Sequence, residues 1–338
     1  MQSIDVLIVT HHAGDLLRAC LQGIRAQTHP ASRVVVVVSS HAEVDVLKDV
    51  EVLRTPTPTD FAPAANLGLA AMGNRPTVLL NDDTVPDPGF LSALASAIDK
   101  EGIYQPAILL PDGRIDNTGH WLFWDGFNVA RERGQRQTQD RETCGAFSGA
   151  AVLFTPAVLA TVGHFDADFG AFGEDLDLSL RAIRHGFPIL HAPQAKITHQ
   201  LGATYGRSTP RKIFLIERNR TAAAIRSLPF SAVAAMPATT GIRLALMGAS
   251  ALKGEGLGHS AGLRGAAAAI AGMVAGTLSA PKAWSKRRGD KPKWTASDAE
   301  MWHHLNRERA PWNKLAGEAL SEQSPRHATD PRSPPVGS

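Results

Sequence analysis

Thr77-Val78-Leu79-Leu80-Asn81-Asp82-Asp83-Thr84 decides how this chain is read. Val78 to Leu80 has the unbroken apolar character of a strand buried on both faces, and Asn81-Asp82-Asp83 then falls on the turn at its carboxyl end. In open α/β sheets that edge is where ligands bind. Adjacent carboxylates repel each other unless a positive charge lies between them. A divalent cation holding a diphosphate supplies that charge through hard oxygen ligands. Asp and Asn are also ordinary turn residues, so capping of the helix that starts near Pro88 is the competing account. The pattern alone leaves the two even, and the rest of the chain breaks the tie.

Upstream, strand and helix alternate. Ile4 to Val9 is a short apolar run, and Asp15 to Gln27 has helical spacing through Leu16, Leu17, Cys20, Leu21 and Ile24. Val34 to Val38 is an all-valine run, as expected of a strand covered on both sides. Val50 to Arg54 predicts a strand, Pro63 to Met72 a helix and Phe90 to Ile98 another. Repeated βα units of this length imply a mostly parallel sheet flanked by helices. Thr10-His11-His12-Ala13-Gly14 stands after the first strand, so neither the dinucleotide fingerprint nor the phosphate loop is present there.

Downstream, Asp112-Gly113 marks a hairpin turn after Ile108-Leu109-Leu110. Polar sequence then runs to Thr143, broken by Trp121, Phe123, Trp124 and Phe127, which reads as a loop shaping a cleft or as a surface excursion. Ala150 to Phe154 predicts a strand and Pro156 the start of a short helix. Gly163 to Gly173 is a glycine- and aromatic-rich loop, and a helix begins near Glu174 with Leu176, Leu180 and Ile183 inward. Glu174 and Asp175 thus sit at a positive helix terminus, where acidic residues are common on helix-dipole grounds alone. Ile189–Leu190 and Ala195–Thr198 predict two short strands, the second ending at His199.

These stretches, taken in order, resemble the family 2 inverting glycosyltransferases of the GT-A fold, most closely the bacterial rhamnosyltransferase-like members. The matching segments are Val6 to Thr10, Cys20 to Pro30, Asn66-Leu67-Gly68, Leu79 to Thr84, Pro111 to Arg114, Ser148-Gly149-Ala150, Gly163 to Asp166, Gly173 to Leu178, and His199 followed by Gly202. They span about residues 4 to 220. The resemblance implies an α/β GT-A catalytic domain whose mostly parallel sheet is flanked by helices, with a helical C-terminal extension. It implies Asp175 as general base with Glu174 beside it, and Asp83 and His199 as ligands of Mg2+ or Mn2+. Donor contacts would come from Thr10, Ser39, Asn66, Asn81 and Asp82. The implied partners are a nucleotide-diphosphate sugar and a glycan or lipid-linked glycan acceptor. The chain departs from the family at Ser39-Ser40-His41, where relatives carry an acidic residue for the nucleobase. It departs again at His11-His12 in place of Tyr-Asn, and at Pro58 to Ala62 before Asn66, so base and donor sugar stay open.

The 338 residues are 43% apolar and 20% charged, with a net charge of +3. That suits one large α/β domain plus an appendage. Cys20 and Cys144 form no CxxC pattern, which fits a reducing compartment. Met1 to Val6 has neither a basic region nor a long apolar stretch, so no signal peptide is expected. Domain boundaries are expected at 1–210 (catalytic), 211–285 (helical) and 286–338 (a basic, largely flexible tail), with Gln323 to Ser338 disordered. Lys282, Lys286, Arg287, Arg288, Lys291 and Lys293 cluster around Trp284 and Trp294, directly after the apolar Gly265 to Leu278. That neighbour favours an anionic membrane surface over nucleic acid, the alternative being a solvated linker. Leu263, Ile270, Val274 and Leu278 share a helical face, and the uncharged stretch is short for a span, so interfacial helices at the inner face of the plasma membrane are expected. Two other functions compete. A sugar-nucleotide nucleotidyltransferase wants a glycine-rich basic loop that Thr10 to Asp15 lacks. A transferase-like binding module that has lost catalysis would leave Asp82, Asp83, Asp175 and His199 unexplained.

Overall fold

The computed structural model of the protein describes residues 2–12, 14–40, 50–138, 142–200, 209–252 and 256–316. Ala13, His41, Gly202 and the stretch Gln323 to Ser338 lie outside the described residues. The N-terminal half runs β1 (Asp5–Thr10), α1 (Asp15–Arg25), β2 (Arg33–Val38), β3 (Glu51–Arg54), α2 (Phe61–Ala71), β4 (Thr77–Asn81), β5 (Thr84–Pro86) and α3 (Phe90–Ala97). Next come β6 (Ile103–Leu109), β7 (Ile115–Asn117), β8 (His120–Leu122), β9 (Asn128–Ala130), β10 (Ala151–Phe154), α4 (Pro156–Val162), α5 (Glu174–Arg184) and β11 (Ile189–His199). Helices complete the chain: α6 (Pro210–Ser227), α7 (Phe230–Leu252), α8 (Gly256–Leu278), α9 (Ala280–Asp290), α10 (Asp298–Arg307) and α11 (Trp312–Ala316).

The main sheet has the order β3-β2-β1-β4-β10-β6-β11-β5, with β7 beside β6. Pairs β3·β2, β2·β1, β1·β4 and β6·β11 are parallel, whereas β10 runs antiparallel to both its neighbours. The period-2 rule splits each buried strand between two cores. Leu7, Val35, Val37 and Leu79 face α2, α5 and α10, while Ile8, Val36, Val38 and Leu80 face α1 and α3. This is why the valine run tolerates no polar residue. Gly68 sits on α2 where a Cβ would collide with the Leu7 and Val37 side chains, so a glycine there lets helix and sheet approach.

The C-terminal half of the sheet differs from the expected pattern at β7, which lies in the stretch read as a loop, and at β11. Residues 189–199 form a single strand whose register against β6 shifts between Ala192 and Lys196. Pro193, which has no N–H to donate, falls inside that irregularity. The C-terminal region differs more. Within the stretch expected to be flexible from 286 onward, α10 buries Met301 and Leu305 in the main core. The Arg184 guanidinium bonds the main chain of Ala296 and Ser297 and the Asp298 carboxylate. The basic cluster is also used internally: Lys282 pairs with Asp168, Lys286 with Asp166 and Asp168, and Arg287 donates to carbonyls at the end of α6. Composition could not reveal this, because the acidic partners lie over 100 residues away.

Helix α6 joins the catalytic body to the last helices. Gly272 and Gly276 of α8 lie so close to it that a Cβ would strike the Phe214 carbonyl and the Thr221 side chain respectively. Arg243 of α7 is fully buried between Asp125 (2.9 Å) and Glu217 of α6 (2.9 and 3.0 Å), with Phe127 stacked beneath it.

Candidate functional site

The site forms where β1, β2 and β4 end. Thr10 Oγ1 donates to Asp82 Oδ2 at 2.5 Å. Ser39 Oγ donates to the Thr10 carbonyl (3.2 Å) and lies 3.1 Å from His11 Nδ1. Burial raises the Asp82 pKa, the Thr10 bond opposes it, and the charge of Asp83 adds to the rise. Thr10, Ser39 and Asp82 thus form one connected group at the parallel strand ends, with Asn81 closing β4.

Asp83 points the other way. Its Oδ2 lies 3.2 Å from His199 Nε2, and His199 Nδ1 lies 2.9 Å from Asp116 Oδ2. Asp116 in turn meets Arg133 at 3.3 Å. Burial pulls the His199 pKa down, but the bonds to Asp116 and Asp83 override it and hold it at about 9. Burial likewise pushes Asp116 up, and His199 with Arg133 bring it below the usual carboxylate range. Asp83 Oδ1 is buried without a hydrogen-bond partner. An orphaned carboxylate oxygen beside an imidazole is a donor set that fits a divalent cation. Among the described residues no three metal-ligating side chains converge. A cation here would therefore take its remaining ligands from water or a bound diphosphate, as Mg2+ sites commonly do.

The second pair of carboxylates starts α5. Gly173, with φ +87°, and Phe172, with φ +65°, bend the chain so that Glu174 and Asp175 open the helix. Asp175 Oδ2 accepts from the Gly149 N–H at 3.3 Å and Oδ1 from Leu176 N–H at 2.8 Å. The next residue, Ala150, accepts from the Asn81 N–H at 2.9 Å. The Asn81 end of β4 and Asp175, some ninety residues apart in sequence, are therefore bridged by the consecutive residues Gly149 and Ala150 just before β10. Glu174 is buried with Oε2 unpartnered, and burial followed by the Asp175 charge raises its pKa well above the ordinary value. The loop before α5 is gripped from α6. Asn219 Nδ2 donates to the carbonyls of Phe169, Ala171 and Phe172, and Arg218 donates to that of Phe169.

Of the expected residues, Thr10, Ser39 and Asp82 are joined, Asp83 and His199 are joined, and Asp175 reaches the Asn81 strand end through β10. Asn66 is placed otherwise: its Nδ2 donates to the Phe165 carbonyl at 2.8 Å, which ties α2 to the 163–173 loop. Sequence reasoning missed Asp116 and Arg133. The only hint was Ile115-Asp116-Asn117 directly after the Asp-Gly turn.

Away from the site, one described helix, Phe230–Ser250, is long and apolar enough to cross a membrane by composition, and 17% of its most apolar window is buried. On α8, Leu263, Ile270, Val274 and Leu278 are 91, 59, 54 and 77% exposed.

Comparison with known proteins bears on the family and the fold. The family profile described as "Glycosyltransferase like family 2" matches residues 2–224. An N-acetylglucosaminyl-diphospho-decaprenol L-rhamnosyltransferase of Mycobacterium tuberculosis is 24% identical over 243 residues, covering 60% of this chain and 78% of that protein. Among solved structures, S. aureus TarS 1-349 in complex with UDP-GlcNAc superposes with TM-score 0.52 at 12% identity, over 90% of each chain. GalNAc-T7 with UDP, GalNAc and Mn2+ gives 0.53 at 15% identity, over 65% of this chain and about half (47%) of that one. The architecture is that of the GT-A transferases.

Proposed function

Because the chain belongs to glycosyltransferase family 2, and so is a nucleotide-sugar-dependent transferase, we propose that it inverts the anomeric centre of its donor sugar while moving it to a hydroxyl of a lipid-linked or cell-surface glycan. The observation that carries this reading is the bridging of Asn81, which precedes Asp82-Asp83, to Asp175 through Gly149 and Ala150.

In this reading the donor lies at the ends of β1, β2 and β4, with Thr10, Ser39, Asn81 and Asp82 around its nucleotide and sugar. Asn66 acts indirectly, by holding the 163–173 loop. Asp83 and His199 would hold Mg2+ or Mn2+, which when bound supplies Lewis-acid charge to the diphosphate. Asp175 takes the proton of the acceptor hydroxyl as its oxygen bonds to the anomeric carbon. The bond from that carbon to the diphosphate oxygen breaks, and its electron pair leaves with the nucleotide. Burial and the neighbouring Asp175 charge raise the Glu174 pKa, which favours the neutral acid beside Asp175.

The exposed apolar residues of α7 and α8 support a place at the membrane face, where a lipid-linked acceptor would be found. The buried pairing of Arg243 with Asp125 and Glu217 favours α7 lying along the surface rather than crossing, since a crossing would strip that charge of its partners.

The test is thermal stabilisation by UDP, dTDP and GDP, each with and without Mn2+, on wild type and Asp83→Ala. A ligand that binds only the native state raises apparent stability by mass action. One nucleotide should stabilise only with the metal, and the variant should lose the effect. No stabilisation by any pair would refute the donor site.

A further inference from the structure

Strand β7 pairs with β6 through Asn117 opposite Ile108 and Ile115 opposite Leu109. Two consecutive β6 residues therefore face three on β7, and Asp116 is the extra one. A β-bulge of this kind re-aims a side chain and is costly to keep without a use. Here it turns the Asp116 carboxylate across β6 toward β11, where Leu109 pairs with Thr198, the residue before His199. The result is the 2.9 Å contact to His199 Nδ1. Arg133 holds the other carboxylate oxygen of Asp116 at 3.3 Å. Arg133 itself is carried by a turn that pairs with β7: Ile115 N–H donates to Gln135 O, and Gly134 N–H to Ile115 O.

We infer that Asp116 is a positioning residue for the metal site, fixing the His199 ring so that Nε2 faces the cation beside Asp83, with Arg133 steadying Asp116 from behind. The inference rests on the reading of Asp83 and His199 as ligands. Its physical basis is general: an imidazole that donates its far N–H to a carboxylate has a fixed tautomer and orientation and is a stronger base toward metal. It also gives a purpose to the polar segment after the Asp112-Gly113 turn, which buttresses the site from outside the cleft.

The experiment is Mn2+ titration of the full chain, followed by loss of the free-ion electron paramagnetic resonance signal. It compares wild type, Asp83→Ala, His199→Ala, Asp116→Ala, Asp116→Asn and the Asp116→Ala/His199→Ala double variant. Nitrogen coupling in the spectrum of bound Mn2+ reports whether a histidine nitrogen is attached. Asp116→Ala should weaken binding about 10–100-fold, the usual cost of removing such a partner, and lose the nitrogen coupling. Asp116→Asn, whose side-chain oxygen still accepts from Nδ1–H, should recover much of the affinity. The double variant should bind no more weakly than His199→Ala, because Asp116 acts through that ring. If Asp83→Ala and His199→Ala are weakened but Asp116→Ala binds as wild type, or if the double variant shows additive losses, the role of Asp116 is overturned. If all proteins bind alike, or wild type binds no Mn2+, the metal reading beneath it falls and the inference with it.

Discussion

Replacing Asp175 by Asn separates chemistry from architecture. Asp175 accepts two main-chain N–H groups, from Leu176 at 2.8 Å and Gly149 at 3.3 Å. An Asn oxygen can keep the shorter bond, leaving an amide nitrogen against Gly149 N–H, so the structural cost is one long hydrogen bond, about 1 kcal/mol. The chemical cost is larger. A positioned general base contributes about 10²–10⁴-fold, and at about 1.4 kcal/mol per tenfold that is about 3–5 kcal/mol on the barrier. Glu174→Gln should behave differently, because burial already favours the neutral acid and Gln matches its shape; about tenfold loss at most is expected. The assay is release of nucleoside diphosphate from UDP-, dTDP- and GDP-sugars in the presence of a membrane lipid extract, with urea melts as the folding control. Asp175→Asn should keep its donor KM and lose no more than about 1 kcal/mol in the urea melt while kcat falls at least 100-fold. A variant within tenfold of wild type, with Glu174→Gln down 100-fold or more, would transfer the base role to Glu174 and refute the argument.

Glu174 also makes stability depend on pH. Its folded pKa is raised above the ordinary 4.5, so its contribution is fully present below about 4.5 and is lost as pH rises through the folded value. Urea melts across that range should show Glu174→Gln gaining on wild type as pH increases; parallel profiles would contradict this. Arg243→Met removes a cation shared by Asp125 and Glu217 and should cost about 3–5 kcal/mol in urea unfolding, since two buried carboxylates lose a partner. A loss under about 1 kcal/mol would mean that Arg220, 3.4 Å from Asp125 and 2.9 Å from Glu217, satisfies both. Ile270→Glu with Val274→Glu should weaken flotation on phosphatidylglycerol vesicles roughly tenfold per site, about 1.5 kcal/mol each, and leave the melting midpoint unchanged. Equal flotation would exclude that face as the contact.

The elements that set the fold were legible because each has a local signature. The valine run, the apolar strand ending in Asn81-Asp82-Asp83 and the acidic start of α5 obey periodicity and helix-end rules that need no distant partner. The Asp83–His199 contact was reachable only through the family resemblance, since no local rule joins positions 116 residues apart. Asp116 escaped because its meaning lies in a bulge, which is a property of two strands together. The docking of α9 escaped because Lys286 and Arg287 read as solvated charges until Asp166 and the carbonyls of Ile225 and Leu228 are seen beneath them.

Helix α6 has a practical consequence for anyone trimming this chain. The family profile ends at 224, and a cut near 210 falls between two segments that look separable. Yet three carbonyls that shape the approach to Asp175 take their hydrogen bonds from a single side chain, Asn219. The same helix turn seats Gly276 and, through Glu217, clasps Arg243. A fragment ending at 210 would keep every carboxylate of the site and lose the hand that sets the last of them in place. The smallest fragment that keeps the Asn219 and Arg243 contacts is thus defined by hydrogen bonds made after the motifs have ended, and it reaches into α7.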